Sequence, residues 1–95
     1  MATYIARMLD SVTGSEGSYR FEHREDLMSR PADDIVAAFF EFADREVFTR
    51  GRAEYELNGA VKNAKLKTVV AIGQFHMAED TANQGAPFTI FISAA

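Results

Sequence analysis

The chain has 95 residues, 47% hydrophobic and 25% charged, which suits one folded domain over residues 1–95 and excludes a disordered chain. Its net charge of −4 argues against nucleic acid as a partner, because neutralising phosphates takes a surplus of Lys and Arg on one face. With no cysteine, disulfides, thiolate nucleophiles and cysteine-held metals are excluded.

Eight Phe, three Tyr and no Trp place most of the aromatic rings in a core or an interface, since Phe has no polar handle. The opening residues, MATYIARMLDSV, lack the basic and apolar regions of a secretory signal. No run approaches the eighteen or so apolar residues of a membrane span. A soluble, cytoplasmic protein without a membrane partner is expected.

In chain order, YIARML (4–9) is apolar enough for a strand, and DSVTGSEGS (10–18) is a Gly/Ser loop. YRFEHR (19–24) alternates, with Tyr19, Phe21 and His23 on one face, and forms a hairpin with the first strand. RPADDIVAAFFEFADREVFTRG (30–51) is a helix. Pro31 suits its first turn, and Asp33 and Asp34 complement the positive end of its dipole. Arg50 and Gly51 supply a cation and a stop, and Glu41–Arg45 and Glu46–Arg50 have i,i+4 spacing. Ile35, Val36, Phe39, Phe40, Phe42, Ala43 and Val47 fill one broad arc, made to lie on a sheet.

Period two then returns. AEYEL (53–57) sends Ala53, Tyr55 and Leu57 one way and Glu54 and Glu56 the other. Two hairpin turns compete, Asn58-Gly59 and Asn63-Ala64. The later turn is preferred, because it pairs Val61 with Leu66, Leu57 with Val70 and Tyr55 with Ile72 on one apolar face. Gly59 is then a bulge or close-approach position. The lysines of KNAKLK (62–67) solubilise this hairpin. LKTVVAIGQFHM (66–77) is the longest strand, AEDTANQGAP (78–87) a loop, and FTIFIS (88–93) a last strand antiparallel to the long one. The expected fold is ββαβββ: a mainly antiparallel five-stranded sheet with one amphipathic helix on one face, an α+β domain.

The preferred register turns Leu66, Val70, Ile72, Gln74 and His76 toward the helix, and Val69, Ala71, Phe75 and Met77 outward. A bulge at Gly73 would return Phe75 and Met77 to the core and His76 to solvent. Four residues are weak catalytic candidates: His23, Glu46, His76 and Glu79. IGQFHMAED (72–80) sets His76 before Glu79 and Asp80, but a strand running into a loop fixes no ligand geometry, and a solvated strand end is the plainer reading. His23 joins a metal or proton-transfer constellation only if its strand neighbours that of His76. Glu46 falls inside the helix's apolar arc, where a carboxylate suits acid–base work, yet it lies in the last turn, within reach of water. VTGSEGS has neither the spacing nor the ending of a phosphate loop, and Ser11, Ser15 and Ser18 have no base beside them. No catalytic residue, cofactor or metal site is therefore assigned.

The long strand and the last strand are apolar on both faces, the pattern of strands buried on both sides. Val69, Ala71 and Phe91 are the expected exposed patch, covered by a second copy in a homo-oligomer, with a dimer favoured. The leading functional expectation is a small non-catalytic oligomeric accessory or binding module acting through its sheet surface. The alternative is a small enzyme or apolar-ligand carrier with a site at a subunit interface, using His23, His76 or Glu46.

Overall fold

A computed structural model describes residues 1–10, 16–48, 51–78 and 85–95. Strands β1 (Ala2–Asp10) and β2 (Glu16–His23) precede a short 3-10 turn at Leu27–Ser29 and the helix α1 (Ala32–Glu46). Strands β3 (Ala53–Asn63), β4 (Thr68–Met77) and β5 (Ala86–Ala94) follow. The five strands form one sheet in the order β2-β1-β5-β4-β3, with every neighbouring pair antiparallel. The expected ββαβββ architecture is the one observed. The last strand runs down the middle, so β2 and β3 are the edges.

The helix forms as its pattern dictates. Pro31 stands at its N-cap with Asp33 and Asp34 in the first turn, while Ile35, Val36, Phe39, Phe40 and Ala43 are buried. It stops at Glu46, before the expected Arg50–Gly51 terminus, where the N–H groups of Val47 and Phe48 both donate to the Ala43 carbonyl. Arg50 lies outside the described residues. Asp44 ties the helix end to the next strand, its Oδ1 accepting from the Ala53 N–H at 2.9 Å.

Between sheet and helix lies a cluster of rings. Phe39 meets Phe21 and Phe40 edge to face at 5.9 and 5.5 Å, and Phe40 stacks on Tyr55 at 4.1 Å. Phe75 and Phe88 meet edge to face at 5.6 Å. Among the described residues Tyr4 carries the one hydroxyl deep in this core. Its oxygen accepts from the Leu27 N–H at 2.9 Å and donates to the Glu25 carbonyl at 3.3 Å, pinning the β2–α1 connection under the sheet. The turn it holds was not legible from periodicity. Its signal is Asp26, whose carboxylate caps the Met28 N–H ahead of the buried pair Leu27 and Met28.

The β3–β4 hairpin departs from the expected register. Its loop is 64–67, four residues long, closed by Lys67 at φ 53° and by the Asn63 side chain accepting from the Leu66 N–H. Neither two-residue turn forms. Tyr55 pairs with Phe75, Leu57 with Gly73 and Val61 with Val70, in place of Ile72, Val70 and Leu66. The ladder shifts between Leu57 and Gly59, so Asn58-Gly59 makes the bulge expected of Gly59. One extra residue inverts the faces beyond it. Tyr55 and Leu57 point to the helix, whereas Val61 points away and Lys62 points in. The Lys62 ammonium donates to the Met28 and Arg30 carbonyls, which makes a cation acceptable on the inner face.

That bulge also resolves the polarity conflict near Gly73. β4 itself carries no extra residue at Gly73; the bulged residue is on β3, opposite the Ile72–Gly73 step. Phase alone puts Val69, Ala71, Gly73 and Phe75 inward. Gly73 is a close approach instead, because a Cβ there would overlap the Glu56 carbonyl oxygen.

Candidate functional site

Each candidate acquires a definite place, and the places are far apart. His23 ends β2 on the helix side of one edge, and its Nδ1 accepts from the Glu25 N–H at 3.1 Å. It lines a cleft with Arg24, Glu25, Arg30, Asp34 and Glu41, where Arg30 already pairs with Glu25 and, at 3.7 Å, with Asp34. His76 lies on β4 on the opposite face of the sheet, with β1 and β5 between its strand and that of His23. The two histidines therefore do not form one constellation. Directly across the ladder from His76 is Glu54, with Nε2 and Oε2 3.3 Å apart, an ion pair whenever the ring is protonated. The direction of His76, open between the two registers, is outward, as its parity with the exposed Gln74 requires.

Glu46 is exposed at the helix end, so the apolar arc does not hold it over the sheet. Glu79 and Asp80 lie outside the described residues, as do Ser11 and Ser15. Among the described residues no three His, Asp or Glu side chains converge as metal ligands, and no buried side-chain polar atom lacks a partner. Tyr55 departs from its ordinary titration. Burial raises its pKa above the ordinary phenol range, and the carboxylates of Asp33, Glu41 and Asp44 raise it further. A phenol held neutral against its stacked Phe40 ring is a core feature rather than a reactive one.

The expected surface patch is where the structure changes the picture most. Val69 and Ala71 are 0% and 1% exposed and pack under the helix, so they form no outer surface. Phe91 does face out, at 40%. The bulge swaps β4's two faces, and Val70 and Ile72, 42% and 52% exposed, stand beside Phe91 instead. One outer row runs Arg7–Phe91–Val70–Val61 across four strands, and the next runs Leu9–Thr89–Ile72–Gly59. Leu9 and Val61 are more than half exposed. With strands about 4.8 Å apart and same-face rows about 6.8 Å apart, the two rows cover roughly 250 Å² in projection, of which the five apolar side chains take roughly 160 Å².

Around the band the outer face is polar. Glu54, Glu56, Gln74 and His76 occupy one corner, where with Gly85 they line an open groove. Arg20 stands near the diagonally opposite corner, on β2. Chemically this surface offers an apolar centre, carboxylates at one corner, and Arg20 set between Glu16 and Glu22 along the opposite edge. Among the described residues no helix is long and apolar enough to cross a membrane. Comparison with protein-family models, with curated proteins and with solved structures finds no match to the chain.

Proposed function

We propose that the protein is a small non-catalytic binding module that assembles through the outer face of its sheet, as a homo-oligomer with a dimer favoured. One observation carries the reading: Leu9, Val61, Val70, Ile72 and Phe91 are exposed together on the face that the helix leaves open. Central strands apolar on both faces are the pattern of a sheet covered on both sides, and the helix covers only one. The alternative of a catalytic or ligand-carrying site has less support. The groups it would use are dispersed, with His23 and His76 on opposite faces and Glu46 exposed at the helix end. A cytoplasmic setting belongs to the same proposal and rests on the cysteine-free composition.

The test is the solution mass of the wild type and of Val70→Glu, by light scattering on a sizing column. A wild-type dimer that falls to one chain in the variant supports the reading. A wild type that runs as one chain at every concentration overturns it.

A further inference from the structure

The outer face carries a charge pattern that specifies how a second copy would sit on it. On a flat grid with the spacings above, Arg20 and Glu56 are four strands and three rows apart. That is roughly 19 Å across the sheet and 20 Å along it. Their midpoint falls on the middle strand, between Phe91 and Thr89, at the centre of the apolar band. Leu9 and Val70 of the band lie close to the other diagonal.

We propose that two copies pack outer face to outer face about a two-fold axis lying along this apolar diagonal. Arg20 of each copy then lies over Glu56 of the other, twice per dimer, with apolar band on apolar band. The axis is inclined at about 45° to the strands, so the strands of the two sheets cross at about 90°, one of the two ways in which sheets stack. Val70 and Leu9 fall close to the axis and meet their own counterparts, as residues on a two-fold must. This arrangement rests on the assembly reading above and deepens it by naming the occupant and its orientation.

Charge complementarity selects this axis from the other simple ones. An axis along the strands would leave Arg20 over Asn63 of the second copy and bring Glu56 within a row of its Glu16, with no opposite charge against either. In the crossed arrangement Glu22 also comes within a row of the second copy's Glu56, but Arg20 lies directly over that carboxylate. An axis along the Arg20–Glu56 diagonal would set Arg20 on Arg20 and Glu56 on Glu56. An axis across the strands can place Arg20 over Glu16, but it lays Arg7 on its own counterpart. In the crossed arrangement Arg7 falls over Ile72 and Gln74, where its aliphatic stem extends the apolar contact. The whole face, about 24 Å by 26 Å, projects roughly 600 Å², near the lower bound per partner of a stable complex.

The experiment is a self-association constant by analytical ultracentrifugation for Arg20→Glu, Glu56→Arg and the double variant R20E/E56R, with folding checked by circular dichroism. Each single reversal turns two attractive contacts into two repulsive ones, and is expected to weaken the dimer on the order of tenfold or more. The double variant is expected to return to within about threefold of the wild type, since both contacts are restored with the signs exchanged. Single variants that bind like the wild type, or a double variant no tighter than the weaker single, would overturn the arrangement. So would rescue of R20E by Glu16→Arg instead of Glu56→Arg. If Val70→Glu breaks the dimer while the charge reversals leave it intact, the assembly reading stands and the crossed geometry fails. A wild type that never self-associates overturns both.

Discussion

The two faces of the sheet are built from the same five strands, yet they are finished in different ways. The inner face is completed within the chain: α1 lays Ile35, Phe39 and Phe40 on it, and Tyr4 and Lys62 hold the connection between β2 and α1 against it. The outer face has an apolar centre that reaches across four strands, but no segment among the described residues lies over it. What separates them is the supply of cover, since β4 and β5 are apolar on both sides.

The largest effect that should separate the faces is cavity formation. Phe39→Ala on the inner side is expected to cost about 3–5 kcal/mol, enough to unfold a domain of this size at ordinary temperatures. Phe91→Ala on the outer side should cost below about 1 kcal/mol in the single chain, because its ring is already partly in water. Urea unfolding at low protein concentration reads both, and equal losses would erase the distinction between finished and unfinished faces.

A smaller effect sharpens the inner face's claim to polar completeness. Tyr4→Phe keeps the ring but leaves the buried Leu27 N–H without its acceptor, which should cost about 1–3 kcal/mol. Hydrogen exchange should then show the Leu27 amide released well before the strand amides. An unchanged unfolding midpoint would mean that the hydroxyl does not anchor the connection.

Tyr55 gives the smallest effect, and it acts at high pH. Its folded pKa is raised, mainly by burial, so the folded state holds that proton more tightly than the unfolded chain does. Its contribution is fully present below the ordinary phenol pKa, about 10, and is lost as pH rises through the folded value. Tyrosinate absorbance should show one ring ionising later than a model phenol, and Tyr55→Phe should remove that late component. Loss of stability beginning only above pH 10 should be weaker in the same variant.

How far these faces can be read from the sequence differs from strand to strand. The helix is legible because its apolar residues recur at one period and acids mark its start. β2 and the first half of β3 are legible because polar and apolar residues alternate, so Phe21, Tyr55 and the two glutamates of AEYEL fall where period two puts them. In β5, Phe88, Ile90 and Ile92 point inward and Phe91 outward, as the alternation requires. β4 is different. VVAIG is apolar in either phase, so its faces are decided by its partner strand and not by its own residues. That partner carries an extra residue at Asn58, and counting the ladder without it turns Val70 and Ile72 inward and Val69 and Ala71 outward. The patch was therefore expected on the right strands and assigned to the wrong side chains of β4. The dispersal of His23 and His76 was hidden for a related reason, since their separation follows from β5 entering between β1 and β4.

The most direct test of the difference between the faces is hydroxyl-radical footprinting of the wild type at low and high protein concentration, at matched radical dose. If a partner completes the outer face, oxidation of Phe91 falls as concentration rises, while that of the inner-face ring Phe39 stays low throughout. Phe91 labelled to the same extent at both concentrations would mean that the outer face stays in water, and that its apolar centre is not an assembly surface.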